Sequence, residues 1–372
     1  MTAQTLANVT DARLARLRQR MQEEGVDLTV LGPTNHLRWL AGLDPHGDER
    51  PVMLFISQAY AGMLMPVLNA ASVRQHTDLP FHTWRDDEGP AVALGDLIAA
   101  TGVDPANLNV ALDEGMRADF ALRVLDALPG ARRTFTHGTV SALRSEKEDT
   151  EYRALKASAL INDRAVMAGF DALREGMTEK DVAEVIAAHY ASEGARTEFI
   201  SVCFGANGAF CHHHTGETRL TRETAVLIDA GCRFMGYPSD MTRAGWFGTN
   251  PDAEFLTVAG VVEGAVQAAL AASKPGVAAR EVDRAARGVI TEAGYGPNFL
   301  HRTGHGLGIE LHEEPYISGA SERPLGPGNV YSIEPGVYLA DRFGVRLEEV
   351  VFLRPEGAEV LSEMPRTPVI RG

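Results

Sequence analysis

The sequence predicts an α/β (α+β) protein with two domains, a smaller one over residues 1–135 and a larger one over residues 136–372. The length of 372 residues exceeds the ~100–200 residues usual for one domain. Short apolar segments alternate with amphipathic segments in the first 135 residues, a pattern typical of strands and helices. Gly176–Val182 resembles Gly276–Val282, and this weak repeat indicates two halves related by a pseudo-two-fold axis.

The N-terminal elements follow from local pattern. Leu14, Leu17 and Met21 share one face of a first helix that Gly25 ends. Strands and then helices are predicted at Leu28–Leu31, Met53–Ile56, Gly62–Leu68, Leu108–Leu112, Val92–Ala100 and Phe120–Leu128. The turn formers Pro129 and Gly130 precede the predicted domain boundary.

The larger domain opens with helices. Ser145–Glu148 has the form of a capping box and predicts a helix that continues to about Glu175. Thr178 is expected to cap the following helix, and a second long helix is predicted over about Glu254–Ala272.

Composition excludes several function classes. The net charge of −15 argues against nucleic acid, because phosphate binding needs a basic surface. We expect no membrane partner, since no apolar run reaches the ~18 residues of a membrane span, and no secretory signal. Three cysteines without CxxC spacing predict reduced thiols and a cytoplasmic location.

Two aspartates form the first candidate constellation. Asp229 ends an apolar run, and Asp240 follows 11 residues later, which predicts directly opposite positions in an antiparallel hairpin. Carboxylates so placed repel each other unless a divalent cation lies between them. The alternative is that both acids lie at exposed strand ends.

Two glutamates form the second constellation. Glu334 closes the apolar strand that begins at Val330, and Glu348 lies within the apolar segment Val345–Leu353. An acid in such a strand needs a partner. Either Glu348 forms an ion pair with Arg346 on a solvated face, or it contributes to a cation site.

Histidines form the third constellation. His301, His305 and His312 are spaced by 4 and 7 residues, and glycines flank His305, where backbone can approach a ligand closely. His212 lies in a run of three histidines within a glycine-containing loop. Tyr316 occupies the position where an HExxH zinc motif would have histidine, so that motif is absent.

These segments together resemble the pita-bread metallopeptidases, a group that includes aminopeptidase P, Xaa-Pro dipeptidase (prolidase), methionine aminopeptidase and the related creatinase. The motifs LIDAG, GYPSDMTR, GHGLG, HEEP, IEPGVY and FGVRLEE occur in the family's order over about residues 140–372. The N-terminal third resembles the creatinase-type N-terminal domain. The resemblance therefore implies a creatinase-like N-terminal domain followed by a pseudo-two-fold pita-bread catalytic domain.

The resemblance also implies the residue roles. Two divalent metal ions per subunit, manganese or else cobalt, iron or zinc, would be bound by Asp229, Asp240, His305, Glu334 and Glu348. Glu334 would also transfer a proton to the leaving amine. The catalytic histidines would be His212, His301 and His312, and Arg346 would pair with a ligand carboxylate.

The implied activity is hydrolysis of the Xaa-Pro bond in dipeptides by a cytoplasmic homodimer. Tyr316 stands where many prolidases have an arginine that binds the dipeptide carboxylate. The loop Leu43–Arg50 is a candidate replacement, in which Arg50 would bind the substrate carboxylate and Asp48 or Asp44 the substrate amine. The alternative is that this charged loop is only solvated surface. The alternatives are an aminopeptidase P acting on longer Xaa-Pro peptides, creatinase-type C–N hydrolysis, and a non-enzymatic binding module.

Overall fold

The computed structural model describes residues 3–45 and 47–372. The chain forms two compact units, Met1–Arg144 and Ser145–Gly372. We refer to them as the N-terminal and C-terminal units.

The N-terminal unit is a mixed sheet with helices. Its helices are α1 Ala3–Glu23, α2 Asn35–Ala41, α3 Val67–Val73, α4 Ala91–Thr101, α5 Ala118–Ala127 and α6 Val140–Ser145. Its strands are β1 Leu28–Leu31, β2 Met53–Ile56, β3 Ala61–Pro66, β4 Phe81–Trp84, β5 Asn109–Leu112 and β6 Arg132–Phe135. The sheet order is β4-β3-β2-β1-β5-β6. The pairs β1–β2 and β2–β3 are antiparallel, and the other pairs are parallel.

The central strands of this sheet follow the prediction, and the outer ones do not. β1 and β2 lie at the predicted residues because their side chains are wholly apolar or buried. The predicted strand Gly62–Leu68 is instead β3, which ends at Pro66 where α3 begins. The edge strand β6 was missed, since its residues Arg132–Phe135 are exposed and two of them are arginines.

The residues just after β6 belong to the N-terminal unit. Thr136 hydrogen-bonds to His36 and to Glu114, at 3.0 and 2.5 Å. Arg144, the last residue of the unit, contacts the same His36.

The C-terminal unit contains the remaining elements. Its helices are α7 Asp149–Ala172, α8 Glu179–Ser192, α9 Ala253–Ala272 and α10 Ala279–Glu292. Its strands are β7 Arg196–Phe204, β8 Thr224–Phe234, β9 Tyr237–Pro238, β10 Met241–Phe247, β11 Gly304–Gly306, β12 Glu313–Ile317, β13 Val330–Ile333, β14 Gly336–Leu339, β15 Phe343–Arg346, β16 Glu349–Arg354, β17 Gly357–Val360 and β18 Val369–Arg371. They form the sheets β18-β10-β8-β7 (with β9 beside β8), β12-β11-β13-β16-β17 and β14-β15.

The weak sequence repeat corresponds to a structural one. Gly176 and Gly276 both have φ of 86°, and each lies between two long helices. The N–H of Gly176 donates to the Leu220 carbonyl, and the N–H of Gly276 donates to the Leu325 carbonyl, both at 2.8 Å. Each helix pair is followed by strands of a central sheet, so the C-terminal unit is built from two related halves.

The long helix α7 begins later than predicted. Ser145 ends α6, and the cap of α7 is Glu148, whose backbone N–H donates to the Glu151 carboxylate at 3.0 Å. The capping box of Thr178 and Asp181 at the start of α8 is as predicted for Thr178.

Helix α9 bears on the expectation that the chain has no membrane span. By length and composition, Ala253–Ala272 is apolar enough to cross a membrane, although no such segment was expected. Phe255, Val258 and Val262 bury one of its faces in the core of the second half, as in the core helix of a globular domain.

Candidate metal centre

The two predicted aspartates lie in a tight hairpin. Phe234 pairs with Tyr237, so Met235 and Gly236 form a two-residue turn. Their φ angles are 52° and 87°. A type I′ turn needs this left-handed backbone at both positions, and it suits the twist of the flanking strands.

The register of the hairpin corrects the predicted pairing. Asp229 lies opposite Thr242, and the same register places Asp240 opposite Gly231. The prediction that the aspartates are directly opposite is therefore wrong by two residues. They remain on one face because side chains alternate along a strand with a period of two.

The two glutamates lie where a long antiparallel strand pair is interrupted. The residues pair in the same register on both sides of the interruption. The β13–β16 ladder ends at Ile333 opposite Glu349, and the β14–β15 ladder begins at Gly336 opposite Arg346. That register places Glu334 opposite Glu348. The segment Val345–Leu353 is consequently not one strand, as predicted, but two.

The break redirects the backbone of both glutamates. The N–H of Glu334 donates to the Thr303 carbonyl at 2.8 Å, and the N–H of Glu348 donates to the Thr242 carbonyl at 3.1 Å. The glutamates are thereby tied to the elements that carry the histidine and aspartate ligands.

His305 lies in the short strand β11 between Gly304 and Gly306. Neither glycine position has room for a side chain. A Cβ on Gly304 would meet the carbonyl of Ser332, and one on Gly306 would meet the backbone of Glu314. The glycines thus allow close approach of neighbouring strands rather than of a ligand.

The tautomer of His305 follows from its partners. Its Nδ1 lies 3.1 Å from the Gly306 carbonyl, which can only accept, so Nδ1 carries the hydrogen. The unprotonated Nε2 faces Asp240 Oδ2 at 3.5 Å and Glu334 Oε1 at 3.4 Å. Burial, with the charge of His312, lowers the pKa of His305 to about 3. A lone pair facing two acids requires a cation or added protons between them.

The carboxylates at this point are buried and incompletely satisfied. Asp240 Oδ1 has no hydrogen-bond partner among the residues that the structure describes. Burial, followed by repulsion from Asp229, raises the pKa of Asp240 well above its usual range. Burial and the charge of Asp240 do the same to the pKa of Glu348. Burial raises the pKa of Glu334 to about 7.

The donor atoms are close enough to share cations. Ligating atoms lie within 4.8 Å of one another in each of three overlapping groups. These groups are Asp229–Asp240–Glu348, His305–Glu334–Glu348 and Asp240–His305–His312. The five predicted ligands, Asp229, Asp240, His305, Glu334 and Glu348, are hereafter called the acidic cluster. An oxygen-rich set with an orphaned buried oxygen fits hard divalent cations.

Arg346 pairs with Asp229 rather than with Glu348. Its Nη2 lies 2.5 Å from Asp229 Oδ2, and its Nε donates to Thr242 Oγ1 at 2.8 Å. Glu348 is 2% exposed, so the alternative of an ion pair on a solvated face is wrong. Arg346 fixes one oxygen of Asp229 and leaves the rest of the cluster to other cations.

Tyr338 links Arg346 to His301. The Tyr338 hydroxyl accepts from Arg346 Nη1 at 2.9 Å and lies 2.7 Å from His301 Nε2. His301 Nδ1 faces the Arg302 carbonyl at 2.7 Å, so Tyr338 donates to Nε2. Burial, with the charge of Arg346, lowers the pKa of His301 to about 4. Both ring nitrogens of His301 therefore form hydrogen bonds. Tyr338 was not among the residues predicted from the sequence.

The remaining predicted histidines line a cavity of about 520 Å³ above the acidic cluster. The ring of His312 stacks on that of His305, with centroids 3.7 Å apart. His212 lines the same cavity and is exposed.

A buried glutamate that the sequence analysis missed supports the loop of His212. Glu179 accepts hydrogen bonds at 2.8–2.9 Å from the side chains of Asn207 and His213 and from the backbone N–H groups of Phe204 and Gly216. It lies at the start of α8, where a glutamate reads as an ordinary helix-start acid.

The predicted substrate-binding residues differ in their surroundings. In the N-terminal unit, Arg50 pairs with Asp86 at 2.9 Å and also contacts Asp48 and Glu49. His46 of the same loop lies outside the described residues. In the C-terminal unit, Tyr316 is 39% exposed, and the Arg302 guanidinium lies 4.5 Å from its ring centroid.

Comparisons with known proteins agree with the site. Residues 153–355 match the description "Metallopeptidase family M24", and residues 13–145 match "Creatinase/Prolidase N-terminal domain". The chain belongs to metallopeptidase family M24. This establishes the M24 protein as a peptidase-family enzyme with the predicted creatinase-like and pita-bread architecture, and it implies divalent metals.

Relatives of this M24 peptidase are named as dipeptidases. "Probable dipeptidase PepE" of Mycobacterium tuberculosis is 34% identical over 371 residues, covering 98% of this chain and 97% of the relative. The solved structure of dipeptidase PepE from Mycobacterium ulcerans has a TM-score of 0.93 at 32% identity, covering 98% of both chains. A prolidase from Thermococcus sibiricus has a TM-score of 0.88 at 30% identity, covering 97% of this chain and 98% of that one.

Proposed function

We propose that this M24 peptidase hydrolyses Xaa-Pro dipeptides at a dinuclear metal centre formed by the acidic cluster. One observation carries the proposal. The Nε2 lone pair of His305 and the orphaned Oδ1 of Asp240 belong to one buried set of acids. Divalent cations would satisfy these atoms together. The relatives named as dipeptidases and prolidase support the substrate class.

Each residue of the cluster has a proposed task. Asp229, paired with Arg346, would supply a ligand at one edge of the centre, and Asp240, Glu348, His305 and Glu334 would supply the others. Two cations held there would polarise the scissile carbonyl and lower the pKa of a water. Glu334, opposite Glu348 at the ladder break, would accept the proton of that water and pass it to the leaving amine.

The cavity histidines are proposed to hold the substrate. His312 would donate a hydrogen bond to the oxygen that becomes negative in the transition state, and His212 would contact the peptide from the loop supported by Glu179. His301, whose nitrogens are engaged by Tyr338 and the Arg302 carbonyl, would contribute its ring to the wall of the proline pocket.

We further propose manganese as the metal, a homodimer and a cytoplasmic location. A set of four carboxylates and one imidazole suits Mn²⁺. The three cysteines are free thiols, which is consistent with a reducing compartment. Light scattering of the purified protein gives the oligomeric state.

The test compares Ala-Pro with Ala-Pro-Ala as substrates of the metal-free protein and of protein loaded with Mn²⁺. We expect Mn²⁺-dependent cleavage of Ala-Pro, with about two Mn²⁺ per chain by elemental analysis. A preference for Ala-Pro-Ala would instead favour aminopeptidase P activity. Failure to bind divalent metal would refute the mechanism and favour a binding module.

A further inference from the structure

Arg302 is a cation at the cavity that the roles above leave unused. It lies three residues before His305 and lines the same cavity as His312. Its side chain is neither fully buried nor fully exposed, so it can meet a ligand and still be partly shielded from water.

Arg302 forms no direct ion pair among the residues that the structure describes. Its charge acts on the nearby Glu334, where burial raises the pKa of the carboxyl and Arg302 partly opposes that rise. Within residues 3–45 and 47–372, no carboxylate oxygen lies within 4.0 Å of its guanidinium. Arg346, which lines the same cavity, pairs instead with Asp229, and Arg233 pairs with Glu198. A guanidinium left without an acid at a cavity wall is positioned to bind an anionic ligand.

The contact with Tyr316 leaves the donors of Arg302 free. The central carbon of the planar guanidinium lies over the ring, 4.5 Å from its centroid, and the guanidinium forms no hydrogen bond to the residues that the structure describes. The five N–H groups of arginine point outward within that plane. Stacking therefore restricts the side chain while keeping the paired donors available for two carboxylate oxygens.

We infer that Arg302, positioned by the ring of Tyr316, binds the C-terminal carboxylate of the peptide substrate. The inference rests on the proposed peptidase function and adds to it a selection for peptides that end close to the cleaved bond. A neutral amide at the same position would accept at most one of the two hydrogen bonds and would lack the charge attraction.

The first experiment compares Ala-Pro with Ala-Pro amide on Mn²⁺-loaded protein. We expect Arg302→Gln to lower kcat/KM for Ala-Pro by about 10- to 100-fold, mainly through KM, because it removes a charge-assisted bidentate contact. For the amide we expect a change of less than about 3-fold. Arg302→Lys should lie between the two, and Tyr316→Phe should retain the preference because its ring still stacks.

A matched control is Arg354→Gln. Arg354 also stacks on aromatic rings, at 4.3 Å from those of Tyr152 and Phe352, but it pairs with Glu359. Arg354→Gln should therefore leave kcat/KM unchanged for both Ala-Pro and the amide. The inference would be overturned if Arg302→Gln lowered kcat/KM equally for Ala-Pro and for the amide. It would also be overturned if Arg50→Gln, rather than Arg302→Gln, abolished the preference for Ala-Pro over the amide.

A binding measurement separates this inference from the proposed function. Calorimetry follows Ala-Pro binding to Glu334→Gln and to Glu334→Gln/Arg302→Gln, neither of which needs to turn over. At least a 10-fold weaker affinity in the double variant supports the role of Arg302 even if the wild type cleaves no Xaa-Pro dipeptide. Equal affinities, or no binding to either variant, overturn it even if the wild type is an active dipeptidase.

Discussion

Among residues 3–45 and 47–372, groups of imidazole and carboxylate ligating atoms within 4.8 Å of one another occur in two regions. One is the acidic cluster of the C-terminal unit. The other, the His36 cluster, consists of His36, Asp113 and Glu114 in the N-terminal unit. By residue type and distance, both could hold a metal ion.

The protein satisfies the His36 cluster with its own donors. His36 Nδ1 accepts from Arg144 Nη1 at 2.9 Å, so Nε2 carries the hydrogen and donates toward Glu114 at 3.1 Å. Asp113 accepts from the backbone N–H groups of Gly32 and Gly115 at 3.0 and 2.8 Å.

The acidic cluster has the opposite arrangement. His305 directs its hydrogen at a carbonyl and its lone pair at the acids, and one oxygen of Asp240 has no partner among the described residues. Proximity of ligating atoms is therefore not sufficient to indicate a metal site. The direction of the imidazole hydrogen distinguishes a self-contained network from one that needs a cation.

The largest expected effect comes from neutralising one acid in each cluster. Asp240→Asn should lower kcat/KM for Ala-Pro by about 10³-fold, because metal polarisation of the carbonyl contributes several kcal/mol to the transition state. Asp113→Asn should leave kcat within about 2-fold and lower Tm, since it weakens only a structural network. Equal activity losses in both variants would remove the distinction between the clusters.

Metal removal should destabilise one cluster alone. At 100-fold excess over Kd, bound metal contributes about 2.7 kcal/mol per site, so chelation of both ions should lower the Tm of the C-terminal transition by about 10–20 °C. Scanning calorimetry with and without EDTA measures the change. Asp240→Asn should reduce this response, because one repelling charge has gone, whereas Asp113→Asn should retain it. An EDTA-insensitive wild-type Tm would contradict the model of repelling acids.

The two clusters should respond to pH in opposite directions in the metal-free protein. Burial raises the pKa of Glu334 to about 7 from an ordinary 4.5. Its protonated form therefore stabilises the fold below pH 4.5, and this stability is lost as pH rises through about 7. Burial opposes ionisation of Glu114, but hydrogen bonds from His36 and Thr136 outweigh it and hold the pKa of Glu114 well below its usual range. Its contribution is present above the ordinary pKa and is lost as pH falls through the lowered pKa.

Tm measured from pH 3 to 8 in EDTA tests these opposite slopes. Glu334→Gln should reduce the fall in Tm between about pH 4.5 and 7. Glu114→Gln should remove part of the loss at acid pH. If both variants keep the wild-type dependence of Tm on pH, neither cluster controls that dependence.

A smaller effect is expected from Tyr338→Phe. This variant breaks the chain from Arg346, the partner of Asp229, through Tyr338 to His301. Loss of a direct partner of a metal ligand typically costs about 10- to 100-fold, and Tyr338 lies one contact further out. Steady-state kinetics on Ala-Pro should show a fall in kcat/KM at the low end of this range. Tyr331→Phe is the control, because Tyr331 is an equally buried tyrosine of the core. A fall of equal size in the control would assign the effect to packing.

Much of the fold was predictable because its signals are local. The strands Leu28–Leu31 and Met53–Ile56 are fully buried and apolar except for Thr29, and they lie at the predicted residues. The repeated turns at Gly176 and Gly276 have glycines because their φ of 86° disfavours other residues. The five members of the acidic cluster were predicted as ligands through motif resemblance, and the structure places their side chains together.

Features that depend on distant parts of the chain were not predictable. The offset of Asp240 from Asp229 depends on a turn at Met235 and Gly236 rather than on the spacing alone. The roles of Tyr338 and Glu179 depend on partners far away in sequence, such as His301 and His213. An edge strand such as Arg132–Phe135 has no buried face, so it lacks the apolar pattern by which strands are predicted.

The shared register of the two broken ladders constrains the changes in length that this region can accept. Glu334 and Glu348 lie opposite each other only while equal numbers of residues separate each from the hairpin tip at 340–342. One residue added on a single arm would turn one carboxylate to the other face of the hairpin. Residues added at the exposed tip would leave both carboxylates in place. Insertions and deletions compatible with an intact centre should therefore concentrate at 340–342, even where the surrounding sequence varies freely.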